Sequence, residues 1–346
     1  MRTTNSSTSS SDPAGAAGTG SWATFSCLLV SVAVVATLAL VAILYAVDPY
    51  DSGRSGLAWR EGVPPQGPRT AAASRGRDPR FHGAIFGNSH IQLISPERLR
   101  AATGIPFVQL SVPGSGPQEQ LTLIEWYLRH RRQPAEALVI AADQQWCTAD
   151  PALPVSKPFP FWLFSSSPVE YTRGLVRMDV LEELPRRLAF ILNPDAERAR
   201  PDGYWDYEHD EATRAHGSSR KDMEPDQRPS DDWEPDPTGR FPAADRLLSL
   251  MAELPSDLAV VLVFPPNHIS LLPRDGTARH RADQQCKAAL RGAISHHARA
   301  AVVDWRKDRA ENRISDLYLD PSHYRQPLAR RVEDEVVEAL HRMRQP

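Results

Sequence analysis

Lysine is nearly absent from this chain. Only Lys157, Lys221, Lys287 and Lys307 stand among the 40 basic residues of a 346-residue sequence. An arginine-dominated chain rich in alanine and proline reflects a GC-rich coding sequence and points to no function. A charge excess of either sign is also missing, since 40 Lys+Arg against 43 Asp+Glu leave a formal charge of −3. A dedicated nucleic-acid binder would carry a basic field, so nucleic acid is not an expected partner. Cysteine is scarce. Cys27, Cys147 and Cys286 are too few for a disulfide scaffold or a cysteine-based zinc site. No internal repeat is apparent.

What is present is the composition of a folded protein, 41% apolar and 24% charged. The first organised feature is 22–47, 26 residues without one charge. About 20 apolar residues cross a bilayer, so this run suffices with some tilt. A cleaved signal peptide is the rival reading, but its apolar core is usually about 7–15 residues after a basic start. The 21 residues before this run hold only Arg2 and Asp12. The expectation is therefore an uncleaved signal-anchor, with Cys27 as a small apolar filler. Residues 1–21, rich in Ser, Thr, Gly and Ala, are expected to be a disordered tail. Flanking charge hardly signs the orientation, because Arg2 on one side is met by Arg54 and Arg60 on the other.

Residues 48–80 are rich in Arg, Pro and Gly with little apolar periodicity and read as a tether. The main domain is expected over 81–346. Short apolar runs at 82–86, 106–112, 137–142, 258–264 and 300–305 have strand character. Helices are expected at 95–102, 119–131, around Ala282–Ala293, and at 326–343. In the last, Leu328, Val332, Val336, Leu340 and Met343 share one face. Strands alternating with amphipathic helices predict an α/β fold with a mainly parallel sheet, whose ligand sites form at the carboxyl ends of strands.

The interval 150–245 breaks the alternation and reads as an insertion. It opens rich in Pro and Phe and has a helical stretch at 178–192. Between 202 and 236 it carries twelve acidic and four basic residues, with Tyr204, Trp205, Tyr207 and Trp233 scattered through it.

Three motifs lie at strand ends. Gly87-Asn88-Ser89-His90 follows the first strand. A serine on a Gly-flanked turn can expose its hydroxyl, and its own amide can help hold an oxyanion. The same tetrad also suits a plain loop with Ser as a helix cap. Asp320-Pro321-Ser322-His323 precedes the last helix. A serine nucleophile needs a base, and the base an orienting carboxylate. Asp320 and His323 could supply both, or simply cap the helix. Ser111-Val112-Pro113-Gly114-Ser115-Gly116 follows the second strand, where glycines let a backbone N–H point into the crevice, or make a flexible turn.

Taken together these three motifs resemble the SGNH (GDSL-like) hydrolase superfamily over about 82–343, the insertion excluded. The run VDPY at 47–50 after a membrane helix, then FGNSH, is similar to membrane-anchored bacterial envelope members. The resemblance implies a flavodoxin-like three-layer sandwich and acyl transfer without a metal or cofactor. Ser89 would attack an ester carbonyl, His323 take its proton, and Asp320 fix the histidine tautomer. The amides of Ser89 and of Gly114 or Gly116 would hold the oxyanion. It also implies a cytoplasmic tail, a periplasmic or extracellular domain, an acylated glycan as substrate, and a possible membrane acyltransferase as partner. One feature departs from the pattern. The third family block carries an asparagine as oxyanion donor, whereas the matching strand end here reads Ala142-Asp143-Gln144-Gln145-Trp146. Gln144 or Gln145 would have to donate instead, and losing such a donor typically costs about 10²–10³ in rate. An inactive relative that binds a glycan or a partner is therefore the second expectation.

Other polar residues are secondary. Asn267 and His268 follow the strand at 258–264 and either line the crevice to bind substrate or form an ordinary loop. His209 lies among acids, as a metal ligand or in a solvated loop. His296 and His297 sit on an expected helix surface. Cys147 and Cys286 could pair in an oxidising compartment, but nothing in the sequence places them within reach of each other, so pairing is the weaker reading.

Overall fold

A computed structural model describes residues 19–57, 59–131, 133–209 and 239–344. Five parallel strands form the central sheet: β1 (Gly83–Phe86), β2 (Phe107–Gln109), β3 (Ala137–Ala141), β4 (Ala259–Phe264) and β5 (Ala300–Asp304), in the order β2-β1-β3-β4-β5. This is the doubly wound order in which the connections change direction between β1 and β3, and ligand sites in such sheets form at the carboxyl ends of the strands at that point. Successive residues of each strand face opposite sides. Ala84, Phe86, Leu138, Ile140, Leu262 and Phe264 enter one core, and Ile85, Val139, Ala141, Val261 and Val263 the other. Both faces are covered, which is why the strands read as continuous apolar runs.

The helices that cover the sheet follow from local signals. α3 (Pro96–Thr103) has Ser95 as its N-cap and Gly104 in the left-handed conformation at its end. α4 (Pro117–Arg129) starts at Gly116, with proline in the first turn. The insertion supplies three short helices, α5 (Phe161–Phe164), α6 (Pro168–Leu175) and α7 (Met178–Leu192). Two further helices, α8 (Pro242–Glu253) and α9 (Ala278–Ser295), share the face of α4. The chain closes with a small antiparallel pair, β6 (Tyr318–Asp320) and β7 (His323–Tyr324), and a long helix, α10 (Gln326–Arg344), on the other face with α3.

The apolar run forms one long helix, α1 (Thr19–Val47), exposed along most of its length. Its last turns are different. Leu44 is fully buried in the domain core, with Leu40 packed beside it. Residues 48–80 are not a tether. Asp48 and Asp51 both adopt left-handed backbone. Asp48 accepts from the Ser52 and Gly53 amides at 2.9 and 2.6 Å. Asp51 accepts from Gly62 N at 2.8 Å and Ser74 Oγ at 2.7 Å, and pairs with Arg77 and buried Arg187. A further helix of small residues, α2 (Pro68–Arg77), precedes β1 and buries Ala71, Ala72 and Ala73.

Cys147 and Cys286 form a disulfide with Cα atoms 5.5 Å apart. The sheet brings the end of β3 beside α9, a proximity that sequence spacing does not contain. One N-terminal apolar helix and a disulfide within the domain are consistent with an extracytoplasmic domain.

Candidate active site

β1 delivers its chain to the crevice through Gly87, whose φ of +151° suits glycine. A Cβ here would stand 2.8 Å from both Ala141 Cβ and Ile91 Cγ2, so the turn must be bare to pass the end of β3. Asn88 caps a single 3-10 turn, Ser89–Ile91, by accepting from His90 N at 3.0 Å. Ser89 thus sits half-buried at the start of a turn, where an amide has no partner within the turn itself.

The partner of Ser89 comes from the far end of the chain. Asp320 Oδ1 accepts from Ser322 N at 2.7 Å, Ser322 Oγ at 2.8 Å and His323 N at 3.0 Å, which folds the D-P-S-H segment into a tight loop. The other carboxylate oxygen, Oδ2, is left for His323 Nδ1 at 2.7 Å. His323 Nε2 then lies 2.9 Å from Ser89 Oγ. An Nδ1–H committed to the carboxylate leaves Nε2 as the acceptor facing the serine hydroxyl. Ser322 Oγ also stands 3.0 Å from His323 Nδ1.

Burial alone would raise the Asp320 carboxyl. The hydrogen bond and charge of His323, with the donors of Ser322, outweigh it and hold the group well below the usual carboxylate range. A lowered folded-state value stabilises the fold above the ordinary carboxylate pKa of about 4 and loses that contribution as pH falls through the folded value. Asp320 is therefore ionised throughout the neutral range.

Three neighbours surround this relay without having been assigned a role in it from the sequence. Tyr207, from the insertion, donates its hydroxyl to Tyr324 O at 2.8 Å and sets its ring edge-on to His323 at 5.6 Å. It packs the insertion onto the domain. Glu208 beside it accepts from Gln326 N at 2.6 Å and pairs with Arg325 at 3.0 Å, tying the same segment to the start of α10. His90 stacks edge-on to His323 at 5.1 Å and lies 3.5 Å from Asp143 Oδ2. Its position directly after Ser89 was the available signal.

The oxyanion candidates divide. Gly116 N–H donates to Glu119 Oε2 at 3.0 Å as the N-cap of α4, so that amide is already used. Gly114 turns in the left-handed region, with the Lys157 side chain beside its Cα. Asp143 does not stand as an isolated negative charge. Asn88 Nδ2 donates to it, and Gln145 N donates at 3.0 Å. Gln144 is half-buried, while the exposed Gln145 has its amide oxygen beside Gly116. Asn267 is buried.

His268 is enclosed and does not present a free ring to the crevice. Its ring nitrogens lie 2.9 Å from Ser270 Oγ and 3.3 Å from Ser315 Oγ, and its amide donates to Pro321 O at 2.8 Å. It supports the loop that carries Asp320 and His323. Burial pushes its pKa down, keeping it neutral. His297 is also bonded, with Nε2 3.1 Å from Pro255 O. His209 ends a described stretch, and Trp233 lies outside the described residues. The described residues hold no group of three or more His, Cys, Asp or Glu arranged for a metal ion.

No family model matches the chain, and no curated protein matches it.

Proposed function

We propose that the protein is a serine acyl-transfer enzyme of SGNH type, an esterase or O-acyltransferase acting on an acylated cell-envelope glycan. The observation that carries this reading is the continuous relay Ser89 Oγ–His323 Nε2 at 2.9 Å and His323 Nδ1–Asp320 Oδ2 at 2.7 Å. Nucleophile, base and orienting carboxylate are each at hydrogen-bond reach of the next, across 234 residues of chain. Their place at the carboxyl end of β1, beside the crevice between β1 and β3, supports it further.

On this reading Ser89 Oγ attacks the ester carbonyl as its proton passes to His323 Nε2. The oxyanion forms beside the Ser89 amide. Collapse expels the alcohol, which takes the proton back from His323, and leaves an acyl-Ser89. Water then completes hydrolysis, or a sugar hydroxyl completes transfer, with His323 again as base. No cofactor enters.

We place the enzyme on the bacterial inner membrane, held by α1, with its domain in the periplasm or outside the cell. Support for a retained helix comes from Leu44, which is part of the domain core and would be lost with a cleaved leader.

A second reading, a weakly active or inactive protein that binds a glycan or a partner acyltransferase, draws on the oxyanion side. Gly116 N–H is taken by Glu119, and the strand end Ala142–Trp146 lacks the asparagine of the family pattern.

The test is release of nitrophenol from p-nitrophenyl acetate by the full chain in detergent. Wild type is expected to exceed the buffer rate, and Ser89→Ala to fall to it. Equal rates in both, with glycan binding retained, would favour the second reading.

A further inference from the structure

The outer face of α7 is apolar where a soluble helix would be polar. Met178, Pro185, Leu188 and Leu192 are exposed at helical spacing and fall on one stripe, roughly 21 Å long at 1.5 Å per residue, with Leu181 half-buried against the core at its edge. Met178 is 69% and Leu192 79% exposed, even with α1 in place. The opposite face does the ordinary work of a core, burying Val180, Arg187 and Phe190. Val169 and Val176 on and after α6 are exposed as well, as are Leu57 and Trp59 on the segment that follows α1.

What covers this stripe follows from what its inner side is bonded to. Arg187 pairs with Asp51, four residues beyond the end of the span, and donates to Arg60 O at 3.1 Å and to Gly62 O. Arg60 in turn caps the end of α7, donating to Phe190 O at 2.9 Å and Asn193 O at 2.7 Å. α1 itself packs on both α6 and α7. The helix is therefore clamped to the first residues that leave the bilayer.

Lengths agree. The 26 residues of the span extend roughly 39 Å, against about 30 Å of hydrocarbon, so the last turns of α1 reach headgroup level. Two aromatic residues lie there. Trp59 Nε1 donates to Ala46 O at 2.6 Å, and the Tyr45 ring meets Tyr171 edge-on at 6.1 Å. Such rings prefer the membrane–water interface.

We infer that α7 lies in the outer headgroup layer of the membrane that α1 crosses, with its Met178–Leu192 stripe inserted among the lipids. The domain is thus seated on the bilayer at two places, the span and the α7 stripe, and does not swing on a tether. This rests on the reading of α1 as a retained anchor.

The test uses the full chain in phospholipid vesicles, with Cys27→Ser to remove the free thiol and the disulfide left oxidised. A polarity-sensitive dye is placed on Met178→Cys and on Leu192→Cys. Val30→Cys within the span is the lipid reference, and Glu338→Cys on the opposite face of the domain is the water reference. Dye at 178 and 192 is expected to emit to the blue of dye at 338. It should be quenched by headgroup-level nitroxide lipids and shielded from iodide. If 178 and 192 behave like 338 while 30 is quenched by lipid, the anchor stands and the seating fails. Shielding from iodide without lipid quenching means that a second copy covers the stripe, which also overturns it. If 30 itself escapes lipid quenching, the anchor reading fails and the seating with it.

Discussion

His323→Ala is expected to lower the rate of ester cleavage by about 10⁴-fold or more, the loss typical when the base of a serine relay is removed. The size follows from the geometry. His323 Nε2 is the acceptor at 2.9 Å from Ser89 Oγ, and a serine hydroxyl without a base is a weak nucleophile at neutral pH. His90 does not replace it, because its ring stands 5.1 Å from that of His323 and its Nδ1 faces Asp143. Nor is folding expected to suffer, since the His323 side chain is 29% exposed and the loop is held by Asp320 and Ser322 through backbone donors. Nitrophenyl-ester turnover, with a melting curve that shows a cooperative transition at a slightly lower midpoint, measures this. A loss of less than tenfold would mean that the relay does not carry the chemistry.

Replacing Cys147 and Cys286 together by serine is expected to lower the melting temperature by the order of 10 °C. A cross-link between residues 139 apart restricts the unfolded chain over a very long loop, which the chain-entropy view values at about 4–5 kcal/mol and which measured removals place at about 2–5 kcal/mol. Spread over a domain of this size, each kcal/mol moves the midpoint by roughly 2–4 °C. The cost has a local part too. Cys147 closes the turn Gln144–Cys147, whose cap is Asp143, the residue that receives the Asn88 side chain next to Ser89. Buried Arg306 lies 3.8 Å from Cys147 Sγ and donates to Ala142 O at 3.2 Å, so the end of β3 is gripped from both sides. Thermal scans of oxidised wild type and the double variant decide it. Coincident midpoints, or a folded wild type that titrates more thiols than the one of Cys27, would contradict it.

Most of the sheet was legible because β1 to β4 are buried on both faces. The runs at 137–142 and 258–264 became Ala137–Ala141 and Ala259–Phe264. The apolar run extends over 106–112, but β2 stops at Gln109. Beyond it Leu110 N and Val112 N still bond Ile85 O and Gly87 O, but as an irregular loop. The helix expected at 119–131 starts at Pro117, and the signal was present in Gly116, Pro117 and Glu119, a cap, a first-turn proline and a returning carboxylate. Reading that cap would have shown that the Gly116 amide is spent.

Residues 48–80 were illegible for a different reason. Their order depends on two left-handed aspartates and on Arg187, more than a hundred residues away. His268 and Tyr207 are placed by Ser315 and Tyr324, partners that no local pattern connects to them. Ser89, Asp320 and His323 could be picked out because nucleophile, base and carboxylate chemistry restricts residue type. Their distances required the fold.

The central claim is that Ser89 is a nucleophile served by His323, and its most direct measurement is where an acyl-like probe becomes attached. The full chain in detergent is treated with a fluorophosphonate, digested and analysed by mass spectrometry. The account predicts one adduct, on the peptide carrying Ser89, that is absent from His323→Ala. A Ser89 peptide that stays unmodified in the folded protein, or one modified equally with and without His323, would contradict it.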